Sequence, residues 1–307
     1  MSDLQSLTTS LSTHLPAPLR WGGSIARRMR QFNIALEGKH SGSSNTDALT
    51  LADLTVQELL VGALRDGDPR FLQCRIEAEE TTGDLHRFAA EAPYTLALDP
   101  IDGTKQYRDH TGNGYATILT LRSRDTLHYS LVFVPEAGEF GRWVQVVGDT
   151  VTCGDDDPGR PAADVVATLP VMRRIEEPAV KKIYLIGFQQ HDRANADRVS
   201  ETGLQGVAAD DTAGCLYDLL ARGEYAGSLI HSPNVYDYPA SLQICRAFGG
   251  DSVWVHNGQP VHFDELWMDE RASMLRLPGI IATSPYADVL EKLVGLAKDW
   301  NPVRYAE

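Results

Sequence analysis

Ile25, Met29, Phe32 and Leu36 recur at spacings of four, three and four, which predicts an amphipathic helix from about Leu19 to Glu37. A second helix is expected after Thr50, where Thr50 and Asp53 read as a capping box ahead of Leu54, Leu59, Leu60 and Leu64. Apolar runs of strand length follow at 71–76, 94–98, 115–121, 127–134 and 140–147, the last three separated by turn residues as in an antiparallel meander. Residues 153–162, CGDDDPGRPA, concentrate Asp, Gly and Pro and predict an exposed loop or boundary. Beyond it, strands at 182–188, 225–230, 253–255 and 280–282 alternate with helices at 213–221, 239–248 and 287–298, in the α/β manner. The chain is therefore expected to hold two halves, an α+β unit over 18–152 and an α/β unit over 163–307, after a polar lead-in at 1–17.

Composition narrows the function. At 307 residues the chain can bury a large core, and its apolar and charged fractions are those of a globular protein. A formal charge of -14 argues against a nucleic-acid backbone or an anionic membrane as partner. Arg27, Arg28 and Arg30 form only a short basic cluster, read as the solvated face of the first helix. The four cysteines fall into neither a C-x-x-C pair nor a zinc pattern and read as reduced core residues. No apolar run approaches the roughly twenty residues needed to span a bilayer, and the N-terminus lacks a signal-peptide pattern, so a cytoplasmic protein is expected.

The chemistry concentrates in residues 96–104, LALDPIDGT. The strand predicted at 94–98 delivers Asp99 at its C-terminal end, where Pro100 withholds a ladder hydrogen bond and Gly103 allows a sharp turn. Asp99 and Asp102 then share one tight loop. Their repulsion is relieved by protonation or by a hard divalent cation such as Mg2+; the bland alternative is an Asp-rich surface turn. Upstream, CRIEAEET places Glu77, Glu79 and Glu80 after an apolar segment, and downstream NVYDYPASLQICRAFGGD sets Asp237 before a helical run stopped by Gly249-Gly250.

These three segments in this order resemble the hallmarks of the inositol monophosphatase superfamily of metal-dependent, lithium-sensitive phosphatases. Thr46-Asp47-Ala48-Leu49-Thr50-Leu51-Ala52-Asp53 is similar to the family's D-x-V-T-x-x-D segment, so the likeness spans about 20–295. The resemblance implies an α/β fold of layered α-β-α-β-α type, as in sugar phosphatases, with the site between the two halves and, by analogy, a homodimer. It also implies two or three Mg2+ ions, held by Glu79, Asp99, the carbonyl of Ile101, Asp102 and Asp237. On the same basis Glu80 supports the water network, Asp47 and Thr104 orient and activate the attacking water, and the N–H groups of Gly103 and Thr104 bind phosphate. Glu77 is given no role.

For the substrate the resemblance points to a small phosphorylated metabolite. The position seven before Asp237, where an inositol-binding glutamate stands in animal-type relatives, is Ile230. Lys105 after the DGT and the segment Pro233-Asn234-Val235-Tyr236-Asp237 are closer to the 3'(2'),5'-bisphosphate nucleotidase branch, with Tyr236 in place of a tryptophan. Inositol phosphate and 3'-phosphoadenosine 5'-phosphate lead, followed by fructose 1,6-bisphosphate and histidinol phosphate. A protein that keeps the metal and phosphate pocket without turnover is the alternative of a different class.

Overall fold

The computed structural model describes residues 3–32, 34–36 and 48–305. The expected lead-in is a helix, α1 (Asp3–His14), followed at once by α2 (Pro16–Arg30). Leu7, Leu11, Leu15 and Leu19 stand four apart and are all buried, so the row runs unbroken across both helices. The Ser and Thr residues between these leucines hide the stripe in the sequence. α2 stops well short of Glu37, with Phe32 two-thirds exposed beyond it. Arg30 is not on a solvated face: its guanidinium is buried, donating to the carbonyls of Tyr107 (2.9 Å) and Gly112 (2.6 Å) and lying over the rings of Tyr107 and Tyr115. The capping box opens α3 (Leu51–Gly67) as expected.

A six-stranded sheet follows in sequence order: β1 (Arg75–Ala78), β2 (Thr95–Asp102), β3 (Ala116–Arg122), β4 (Leu127–Val134), β5 (Arg142–Val147) and β6 (Thr150–Asp155). Only the β1–β2 pair is parallel. The run from Phe71 forms a 3-10 turn before β1, and residues 153–155, expected in a loop, complete the edge strand β6. The short helix α4 (Thr104–Asp109) lies between β2 and β3 in the chain, and α5 (Ala162–Ala167) follows β6.

The second sheet has the order β10-β13-β9-β7-β8, built from β7 (Lys182–Ile186), β8 (Gln205–Ala208), β9 (Gly227–His231), β10 (Asp251–Trp254) and β13 (Ile280–Ser284). A crossover helix, α6 (Asp192–Ser200), joins β7 to its parallel partner β8, while β11 (Trp267–Asp269) and β12 (Met274–Arg276) form a separate hairpin. The helices α7 (Leu216–Ala221), α8 (Tyr238–Ala247) and α9 (Ala287–Ala297) complete the set.

Packing gives the layers. α2 and α3 cover one face of the first sheet, and their leucines meet Leu96, Leu98, Leu119 and Leu131. α7 and α8 lie on its other face, against Ile118, Val132, Val144 and Val146. α8 also packs on the second sheet, whose far face is closed by α6 and α9 around Ile183, Leu229 and Val289. The result is the α-β-α-β-α sandwich, with each sheet buried on both faces.

Candidate metal centre

Backbone pairing brings the acidic residues together. Ala78 faces Leu98 in the parallel β1–β2 ladder, and the Glu79 N–H continues it by donating to the Leu98 carbonyl at 3.1 Å. Glu79 and Asp99 thus leave neighbouring strands at the same level. β2 does not end at Pro100. It runs to Asp102 through an irregularity against β3, in which the Pro100 carbonyl accepts the Thr117 hydroxyl at 3.0 Å. A bulge is one place where a strand tolerates proline, and here it turns Asp99 and Asp102 to one side. Gly103 then takes a positive φ of 83°, and α4 starts.

Asp237 comes from the segment between β9 of the second sheet and α8. It is the N-cap of α8, its carboxylate accepting the Tyr238 N–H, while the Asn234 side chain accepts the N–H groups of Tyr236 (2.9 Å) and Asp237 (3.2 Å) and fixes the entry. Oxygens of Asp99, Asp102 and Asp237 all lie within 4.8 Å of one another, and Glu79 lines the same cavity. The loop before β3 and the segment before α7 meet closely here: Gly114 and Gly214 approach backbone to backbone, and a Cβ on Gly114 would collide with the Gly214 carbonyl.

The electrostatics are those of a cation site. Burial, then the charges of Glu79, Asp102 and Asp237, holds the Asp99 carboxyl well above its ordinary range. Asp102 is raised well above its ordinary range by burial and by Asp237, and Asp237 is pushed up to about 6 by burial and by Glu79. Among the described residues no basic side chain forms a salt bridge with these three aspartates, and Asp99 Oδ1 is buried without a hydrogen-bond partner. A buried, unsatisfied carboxylate oxygen amid like charges fits a hard cation with oxygen ligands, and nitrogen or sulfur donors are absent from the described cluster.

Asp47 lies outside the described residues. The aspartate beside Thr104 is Asp53, which the sequence reading gave to a helix cap alone. Its Oδ2 serves the cap, accepting the Thr50 N–H (2.8 Å) and hydroxyl (2.5 Å), and its Oδ1 lies 3.0 Å from Thr104 Oγ1. Thr104 Oγ1 is also 2.8 Å from the Ile101 carbonyl. Asp53 is buried, and burial, followed by the charges of Glu79 and Glu80, pushes its carboxyl up to about 7. The signal was present in the D-x-V-T-x-x-D segment, whose second aspartate is Asp53; the capping box explained that residue too well.

Glu80 is buried behind the cavity wall, its main chain held by the Gln57 side chain (N–H to Oε1, 2.9 Å). Lys105 is not among the cavity-lining residues, although its neighbours Thr104 and Gln106 are, and its ammonium pairs with Asp210 at 2.9 Å. Glu77 pairs with Arg122 and Arg75 away from the site. Sequence reasoning missed the cavity walls formed by Tyr184, Tyr217, Arg276 and Arg304.

Comparison with known proteins agrees with this fold. A model of the inositol monophosphatase family matches residues 16–291. No curated protein matches the chain. Among solved structures, an inositol monophosphatase from Anabaena (Nostoc) is similar at 16% identity and a TM-score of 0.63, covering 98% of this chain and 99% of that one. CysQ from Bacteroides thetaiotaomicron, described as a bacterial member of the inositol monophosphatase family, is similar at 16% identity and a TM-score of 0.60, over 90% of this chain and 98% of its own. An IMPase/NADP phosphatase, solved with Mg2+ and phosphate, is similar at 14% identity and a TM-score of 0.63, over 97% of each chain.

Proposed function

This chain belongs to the inositol monophosphatase family and is a phosphoric monoester hydrolase, and we propose that it uses Mg2+ to hydrolyse a small phosphorylated polyol, sugar or nucleotide. The observation that carries the reading is the convergence of Asp99, Asp102 and Asp237 around a buried oxygen that accepts no hydrogen bond. Glu79, Asp99, Asp102, Asp237 and the Ile101 carbonyl are the proposed ligands of two or three ions; a similar structure is described as complexed with Mg2+ and phosphate. When bound, such cations neutralise a phosphate dianion and make a nearby water more acidic.

The side chains supply the rest. Thr104 Oγ1 can pass its hydrogen to Asp53 Oδ1 while its lone pair takes the proton of a water aimed at phosphorus. In the metal-free fold burial pushes this carboxyl up to about 7, and cations bound beside it would favour the ionised form that accepts the proton. The water would attack in line, opposite the leaving alkoxide, with the N–H groups of Gly103 and Thr104 as donors to the phosphate oxygens. Glu80, whose charge reaches Asp53, is proposed to support this proton path. We further read the chain as two halves, 18–152 and 163–307, each contributing to the site.

Among the described residues no helix is long and apolar enough to cross a membrane. Cytoplasmic location, lithium sensitivity and a homodimer belong to the proposal. The deciding experiment measures phosphate release with Mg2+ from inositol 1-phosphate, 3'-phosphoadenosine 5'-phosphate, fructose 1,6-bisphosphate and histidinol phosphate. A preference of several decades in kcat/KM for one compound is expected, and absence of metal-dependent release from any phosphate monoester would refute the assignment.

A further inference from the structure

The cavity that holds the carboxylates has a second charged wall, built by β9, β12 and the C-terminal segment. Arg276 and Arg304 line it, and both are buried. Arg276 donates from Nε to Asp269 Oδ2 at 2.8 Å and from Nη1 to the Ser232 carbonyl at 3.0 Å. Arg304 reaches in from the chain end, giving Nη1 to the His231 carbonyl at 2.6 Å, with Nε 3.9 Å from the same Asp269 oxygen. Tyr305 Oη donates to that oxygen at 2.7 Å.

The arrangement is held from behind. Gly187, at φ 94°, has no room for a side chain, because a Cβ there would strike the His231 carbonyl and come within 3.1 Å of Arg304 Nη1. His231 is fixed through Nε2 on the Asn301 carbonyl (3.1 Å) and Nδ1 on Ser232 Oγ (3.0 Å), and it adds no counter-charge: burial, then the two guanidinium charges, pushes its imidazole down to about 4. The other acid on this wall, Asp192, accepts the Phe188 N–H at 2.8 Å, and burial pushes its carboxyl up to about 6.

Building on the proposed phosphatase reading, we propose that Arg276 and Arg304 form a second anion subsite, so that the preferred substrate carries a phosphate or carboxylate besides the phosphoryl group that is removed. Guanidinium groups match such oxyanions in a planar, bidentate fashion. Two of them on one water-poor wall, fixed by the fold, meet a second anion at little ordering cost. A neutral polyol would bring only hydroxyls to the same place.

Matched pairs isolate the second charge. The full-length protein with Mg2+ is assayed for phosphate release from adenosine 3',5'-bisphosphate against adenosine 3'-monophosphate, and from fructose 1,6-bisphosphate against fructose 1-phosphate. The bisphosphate is expected to be preferred about ten- to hundredfold in kcat/KM in at least one pair, as for charge-assisted hydrogen bonds lost or kept. Arg304→Gln should lower that ratio about tenfold, chiefly through KM, and Arg304→Lys should restore part of it. A wild-type ratio near one in both pairs, which needs no variant, overturns the subsite. So does a ratio unmoved in a folded Arg304→Gln protein. Turnover without the preference overturns the subsite alone, whereas no turnover of any member overturns the phosphatase reading with it.

Discussion

Replacing Asp53 by Asn separates its two roles, because one carboxylate oxygen serves the cap of α3 and the other faces Thr104. Asn keeps one acceptor and turns the other into a donor, so either the Thr50 N–H loses its acceptor or the Thr104 hydroxyl is left with the Ile101 carbonyl alone; the cap is worth about 1 kcal/mol. Against this stands the charge. The Asp53 carboxyl ordinarily titrates at 3.8 and is pushed up to about 7 in the fold. The native state therefore holds its proton where the unfolded chain has released it, and stability falls as pH rises from about 4 to about 7. The gap of about three pH units, at about 1.4 kcal/mol each, makes the ionised group cost up to about 4 kcal/mol above pH 7 in metal-free protein. Asn removes that cost. Metal-free Asp53→Asn should thus melt below wild type at pH 4, by about 1 kcal/mol, and above it at pH 8. Its kcat with Mg2+ should drop about a hundredfold or more, since the proton path from Thr104 ends on an amide. Thr50→Ala is the control, losing the cap energy with a far smaller loss of turnover. Melting curves at the two pH values and steady-state phosphate release read both effects. Turnover within about threefold of wild type would refute the Asp53–Thr104 assignment.

Three further outcomes test other parts of the structure. Asp102→Asn should lose activity by at least about a hundredfold with the fold retained, and the melting temperature should no longer rise on adding Mg2+ as it does for wild type; equal Mg2+ stabilisation of both proteins would remove Asp102 from the ligand set. His231 is held at about 4 against an ordinary 6.5, so the unfolded chain binds a proton that the native state refuses, and stability is complete above about pH 6.5 and falls toward pH 4 by up to about 3 kcal/mol. Denaturant melts of His231→Gln should lack that part of the acid loss, and an unchanged pH profile would contradict the buried neutral imidazole. Gly114→Ala should cost about 2 to 3 kcal/mol and lower activity, because its methyl group meets the Gly214 carbonyl where the two segments meet; a fully stable, fully active variant would show that the contact yields freely.

The strong periodicities were legible: β4 runs from Leu127 to Val134 as read, and α3, α8 and α9 lie where apolar spacing and caps put them. What escaped was short or polar. α6 carries Ala196 and Val199 among charged residues, and β8 is four residues long, so neither has enough apolar signal to stand out. α1 was hidden by hydroxyl side chains between its leucines, and β2 was cut short at Pro100 because a bulge has no periodic signature. At the site Asp99, Asp102 and Asp237, which converge, and Glu79, which lines the same cavity, stand in motifs that the sequence offered as candidates. Asp53 was not offered, since a local hydrogen bond explained it; nor was Arg304, which reaches the cavity only through the path of the chain end. Lys105 shows the converse, a charged residue next to the motif whose partner, Asp210, is set by tertiary contact.

The acidic cluster is divided between the first sheet and the start of α8, which stand far apart in the chain. Glu79, Asp99 and Asp102 leave the ribosome well ahead of Asp237, so a nascent chain carries three mutually repelling acids before the helix that brings the fourth exists. If these acids hold a metal as proposed, an ion attracted before α8 docks would meet an incomplete cage, and tight capture would wait until Asp237 is in place. In that reading, tight binding would require that α8 has docked.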